Sequence, residues 1–117
     1  MKRLLFFFTG LLLTAAAIAA PPLPEVEVVK IDERVYALLG PLELPSKRNQ
    51  GYTVNSTAII GDHGVILVDT GFTDEVGAHL ARAVAKITPK PITHIVNTHH
   101  HGDHMLGNAA FKNVEVI

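Results

Sequence analysis

Thr98-His99-His100-His101-Gly102-Asp103-His104 gathers four of the chain's seven histidines and a carboxylate into one short run. Imidazole nitrogen and carboxylate oxygen are metal donors, and their spacing suggests how they are shared. His99 and His101 are two apart, and alternate residues of extended or turn-like backbone project to one side. Both rings can therefore face one cation while His100 points elsewhere. Gly102 permits a sharp change of direction, so Asp103 and His104 can address a second point close by. Nitrogen donors with one carboxylate suit zinc best, with iron or manganese as alternatives. Two ions about 3.5–4 Å apart are the usual arrangement of bridged hydrolytic sites. The run is neither a terminal homopolymer nor a long low-complexity tract, the two bland explanations for clustered histidines. His63 falls in a turn, His79 beside the apolar face of a helix and His94 in mid-strand, so these three read as structural or exposed.

The elements that must position the cluster can be read in order. Glu25-Val26-Glu27-Val28-Val29-Lys30-Ile31 alternates and is β-branched, Asp32-Glu33-Arg34 makes a turn, and Val35 to Leu39 is a second strand. Gly40 to Gly51 is a loop rich in breakers. Its Lys47-Arg48 is the one adjacent basic pair after the leader, suited either to a solvated tip or to a flap over an anionic substrate. Asn55 to Ile60 and Val65 to Val68 form a hairpin through Gly61-Asp62-His63-Gly64, and the continuous apolar run of the second strand predicts burial on both faces. That strand ends at Asp69-Thr70-Gly71. Thr73 is a good N-cap, Asp74 and Glu75 suit a helix N-terminus, and Val76, Leu80, Ala83, Val84 and Ile87 lie on one helical face. Pro89 and Pro91 stop the helix, and Ile92 to Asn97 is the next strand. Strand, helix and strand in this order form a βαβ unit with its strands parallel and adjacent. Ligands of such sheets bind beyond the carboxyl ends of the strands. Asp69 and the histidine cluster both lie there. A short helix beginning near His104 and a strand from Val114 to Ile117 follow.

At 117 residues the chain suffices for one small domain. The net charge of −1 gives no basic excess, which excludes a general nucleic-acid binder. Cysteine is absent, so disulfides, thiolate metal sites and a cysteine nucleophile are excluded. Met1-Lys2-Arg3, the apolar Leu4–Leu13 stretch and the alanine-rich Ala15–Ala20 follow the three-part plan of a secretory signal peptide. The reading is cleavage after Ala19, a signal over residues 1–19, a proline-rich leader over 20–25 and the domain over 26–117. Loss of Lys2 and Arg3 leaves the mature chain mildly acidic. The expected location is exported, periplasmic or secreted, without a stable membrane anchor.

His99-x-His101-x-Asp103-His104 resembles the HxHxDH signature of the metallo-β-lactamase superfamily. Val68-Asp69-Thr70-Gly71 closing an apolar strand, Asn97-Thr98 entering the motif and Gly107-Asn108 following it agree with that resemblance. The resemblance implies an α/β (α+β) fold, an αββα sandwich of which this chain corresponds to the N-terminal half. It implies zinc, two ions in the complete fold. His99 and His101 resemble ligands of the first ion, and Asp103 and His104 ligands of the second. Asp69 resembles the supporting acid beside them. The reaction implied is hydrolysis of an ester, thioester, lactone or β-lactam by metal-activated water, with Asp103 orienting the water or taking its proton. The partner implied is a small-molecule substrate, with no nucleic acid; oligomeric state is left open. Family members carry further ligands downstream, whereas no His, Asp or Cys follows His104. The alternative is therefore a non-catalytic metal-binding remnant or an inactive fragment that lacks the C-terminal ligands.

Overall fold

A computed structural model describes residues 20–117; the signal peptide read over residues 1–19 lies outside the described residues. Six strands form one sheet in sequence order: β1 (Glu27–Asp32), β2 (Val35–Leu39), β3 (Ser56–Ile60), β4 (Val65–Val68), β5 (Ile92–Val96) and β6 (Glu115–Val116). The first four pair antiparallel, and β4–β5 and β5–β6 pair parallel. The change of sense comes where helix α1 (Asp74–Ile87) carries the chain back across the sheet. A parallel neighbour needs such a crossover, whereas an antiparallel pair can be joined by a short turn, as β1–β2 and β3–β4 are; a long loop joins β2 to β3. Helix α2 (Gly102–Met105) and a 3₁₀ turn (Leu106–Ala110) then lead to β6.

Helix α1 starts where the sequence provides a cap. The Thr73 hydroxyl accepts from the Val76 N–H at 3.2 Å, and Asp74 and Glu75 occupy the first turn. The Thr88 N–H closes the other end on the Val84 carbonyl at 3.1 Å. Its buried stripe is Val76, Gly77, Leu80, Ala83 and Val84. These pack on Leu38, Ala58, Val65, Leu67 and Ile95 of the sheet, joined by Tyr52 and Val54 from the segment before β3. Burying side chains of this size contributes about 1.5–3 kcal/mol each.

The pairing register puts Tyr36, Ala58, Leu67 and Ile95 on the helix side and Ala37, Thr57, Val68 and Val96 on the other. The second face is only half-covered. This corrects the expectation that β4 is buried on both faces: Val65 and Leu67 are buried, while Ile66 and Val68 are half-buried. The apolar run was a fair sign of a central strand, but the described residues cover its far side only in part. The described fold is thus one sheet with its helix on a single face. Other differences are at boundaries. The short helix begins at Gly102 rather than His104, and β6 spans Glu115–Val116. No described helix is long and apolar enough to cross a membrane.

Candidate metal centre

β4 and β5 run parallel and end side by side, Val68 opposite Val96. The chain leaves β4 at Asp69 and β5 at Asn97, so the acid and the histidine run emerge at one edge. Asp69 turns sharply there, with φ of 59°. This left-handed conformation is uncommon for a residue with a side chain, and aspartate is among the residue types that tolerate it. The turn directs the carboxylate toward the residues leaving β5.

Asp69 is 4% exposed and fully engaged. Its Oδ1 accepts the Thr98 N–H at 2.8 Å, and its Oδ2 accepts the Thr98 hydroxyl at 2.8 Å. The same Oδ2 lies 2.7 Å from Nδ1 of His104. Burial pushes the Asp69 carboxyl up, but the Thr98 N–H, the His104 ring and the Thr98 hydroxyl together outweigh it and hold the group below the ordinary carboxylate range. Ionised Asp69 accepts from Nδ1, so His104 is protonated there and its Nε2 is left as a donor to a metal.

The other donors gather around that ring. Centroids of His99 and His104 are 4.0 Å apart, those of His99 and His101 4.7 Å, and those of His100 and His101 5.1 Å. Oδ2 of Asp103 lies 3.3 Å from Nε2 of His104. That is about the edge of a tetrahedron of donors held at the ~2.0–2.1 Å typical of zinc. His99 meets the Thr98 hydroxyl through Nδ1 at 2.9 Å, leaving its Nε2 available. The donor chemistry therefore fits a borderline cation. The side chains associate in pairs: among the described residues, no three His, Asp or Glu groups form a ready-made cage. The geometry also brings His99 nearer to His104 than to His101, so the division into one pair per ion is not built into the side-chain positions. His100 touches His101 but none of the carboxylates.

Three successive residues beyond β4 grip the segment that carries His104. Asp69 holds its ring. The Thr70 N–H donates to the His104 carbonyl at 2.8 Å, and the Gly71 carbonyl accepts the Gly107 N–H at 2.8 Å. The contact is so close that a Cβ on Gly107 would fall 2.0 Å from the Thr70 carbonyl oxygen. The Thr70 hydroxyl donates to Oδ1 of Asn108 at 2.6 Å. The sequence places Thr98 and Thr70 within the family pattern but gives neither a role; only their contacts do.

The Lys47-Arg48 pair sits apart from this network. Arg48 forms an ion pair with Glu43 inside its own loop. Buried Asn49 pins that loop by accepting from the Ser46 and Gly51 N–H groups and donating to the Leu44 carbonyl. The loop does approach the site at its base, where a Cβ on Gly51 would meet Phe72 at 3.1 Å and one on Gly102 would meet the same ring at 3.3 Å. His79 donates from Nε2 to the Pro24 carbonyl at 2.8 Å, and His94 faces Glu115 at 3.4 Å. A groove of about 380 Å³ between β1 and α1, lined in part by His79, Arg82 and Lys86, shares no residue with the histidine cluster.

A sequence model of the metallo-beta-lactamase superfamily matches residues 50–117, from the loop base through the histidine run. Among solved structures, the metallo-β-lactamase FIM-1 of Pseudomonas aeruginosa in its mono-zinc form aligns with a TM-score of 0.62 and 27% identity, over 84% of this chain and 43% of that one. A metallo-β-lactamase of Erythrobacter litoralis with β-mercaptoethanol in its active site aligns with a TM-score of 0.59 and 29% identity, over 76% of this chain and 38% of that one. The chain thus spans about two fifths of the length of the structures it resembles. With the family's pattern matching more than half of its residues and its fold following these relatives, the chain belongs to the metallo-beta-lactamase superfamily.

Proposed function

We propose that this chain carries the metal-holding edge of a zinc-dependent hydrolase that cleaves an ester, thioester, lactone or β-lactam bond. What supports the reading is the pairing of His99 with His101 and His104, and of Asp103 with His104, at the carboxyl end of the sheet, with the His104 ring held by a buried, ionised Asp69. The mono-zinc form of a solved relative supports zinc over iron or manganese. His99 and His101 would hold one ion, and Asp103 and His104 a second. Zinc bound there supplies an acidified water and polarises the electrophile. Asp103, half-exposed at the mouth of the cluster, orients the attacking water and takes its proton. Asp69 and Thr98 keep the donors in place. The substrate is a small molecule, and the chain works after export to the periplasm or beyond, in line with its signal-like first nineteen residues.

A second reading, a metal-binding remnant without catalysis, is favoured by one feature: among the described residues the donors associate in pairs, and no three His, Asp or Glu groups form a cage. Elemental analysis and hydrolysis of a chromogenic β-lactam and a thioester separate the two. The enzyme reading expects at least one zinc per chain and turnover of one substrate class. It also expects loss of both in His99→Ala and His101→Ala. Stoichiometric zinc without turnover favours the remnant. A purified chain that retains no zinc, or a His101→Ala variant that keeps full occupancy, defeats the assignment.

A further inference from the structure

We propose that Thr70 and Asn108 are positioning residues for the metal donor His104, acting as a clasp that fixes the short segment on which that histidine rides. The inference rests on the reading of His104 as a metal ligand and extends it to two residues that carry no donor to the metal.

The argument begins with the weakness of the segment itself. Helix α2 is four residues long and buries none of them. A single helical turn is unstable in isolation, because nucleation fixes several residues for one hydrogen bond. Its start has no side-chain cap, and neither has the 3₁₀ turn that follows. The position of His104 must therefore be imposed from outside. The imposing groups are those of the β4 extension, and they act at both ends of the segment. At the near end, the Thr70 N–H holds the His104 carbonyl at 2.8 Å. At the far end, the Thr70 hydroxyl holds Oδ1 of Asn108 at 2.6 Å and approaches the His104 carbonyl at 3.4 Å. Thr70 is fully buried between buried Asp69 and Gly71, so the clasp is anchored in the interior. Gly107 lies between the two ends, against Thr70 on one side and Gly77 of α1 on the other, where a Cβ at either glycine would strike the opposing backbone. A small shift of Asn108 thus moves the whole segment and swings the His104 ring off the Asp69 carboxylate. Supporting contacts of this kind set metal affinity by about 10–100-fold in other sites.

The test is a zinc titration by calorimetry on the chain and on Thr70→Val, Thr70→Ser, Asn108→Ala and His104→Ala, with metal-free thermal unfolding measured in parallel. Thr70→Val keeps the shape and removes the hydroxyl. It should weaken, by about 10–100-fold, the zinc binding that depends on His104 and is missing in His104→Ala. Asn108→Ala should do the same from the other side of the clasp, and Thr70→Ser should restore the affinity. Wild-type zinc binding in both Thr70→Val and Asn108→Ala overturns the proposal. So does a Thr70→Ser variant as weak as Thr70→Val, since the hydroxyl would then not be what matters. If Thr70→Val does not fold, Asn108→Ala alone decides, because Asn108 is half-exposed and outside the core. A parent chain that binds no zinc defeats the hydrolase reading itself, a result separate from any difference between variants.

Discussion

At the scale of single residues, Asp69 concentrates most of the site's organisation. One buried carboxylate satisfies a backbone N–H, a hydroxyl and a ring nitrogen, and its left-handed backbone makes the turn that brings it there. Asp69→Ala strands the Thr98 N–H and hydroxyl and the His104 Nδ1–H without an acceptor. Each buried group left unpaired costs about 1–3 kcal/mol, and alanine is also poorly suited to the backbone angle. Urea unfolding of the metal-free chain should register a loss of at least that size. Asp69→Asn keeps the shape and tolerates the left-handed turn, so its loss should be smaller. Equal losses in the two variants would mean that the charge and second acceptor oxygen, which both variants lack, carry the whole effect and that shape and backbone tolerance contribute little.

Among the elements, the sheet has two unequal faces, and neighbouring residues of one strand report on them separately. Ala58 points to α1 and is 1% exposed, whereas Ile59 points to the open face and is 37% exposed. Ala58→Lys forces a charge and a long side chain into the helix–sheet core, and overpacking alone costs about 1–3 kcal/mol. Ile59→Lys places its ammonium in water, where substitutions usually stay within about 0.5 kcal/mol. Chemical denaturation should therefore separate two lysines one position apart. If Ile59→Lys proved the more damaging, the open face would be covered in solution. The same asymmetry explains why α1, capped by Thr73 and stripe-matched to the sheet, is the element that holds β4 and β5 in parallel register and so aligns Asp69 with the histidine run.

For the molecule as a whole, alkaline stability has an identifiable source. Tyr52 is fully buried, donates its hydroxyl to the Leu39 carbonyl at 3.1 Å and ties the long loop to the core. Burial raises its phenol from 10.0 to about 12. The unfolded chain loses that proton near pH 10, while the folded chain keeps it until about pH 12. Above pH 10 the unfolded state binds fewer protons, so stability falls with rising pH. Tyr52's contribution is complete below pH 10 and is lost as pH rises through 12. Thermal melts between these limits should decline in the parent, and Tyr52→Phe should remove part of that slope. An unchanged slope in Tyr52→Phe would place the alkaline sensitivity elsewhere.

What the sequence determined by itself was local and periodic. Thr73 with Asp74 and Glu75 marks the start of α1, the spacing of Val76, Leu80 and Ala83 marks its buried side, and the strand–helix–strand order dictates a parallel pair. These follow from backbone hydrogen bonding and side-chain period, which neighbouring residues settle among themselves. The histidine run declared its chemistry through donor types at fixed spacing, and the family pattern was legible in the same residues. Only the tertiary structure decided which groups serve those donors. Thr98 and Thr70 became visible through contacts across more than 25 positions in sequence, and Asn108 through a hydroxyl 38 positions away. The half-open face of β4 was likewise hidden, because an apolar run shows that a strand is central but not what covers each side of it. Local rules propagate along the chain; coverage and second partners depend on which distant segments the fold brings near.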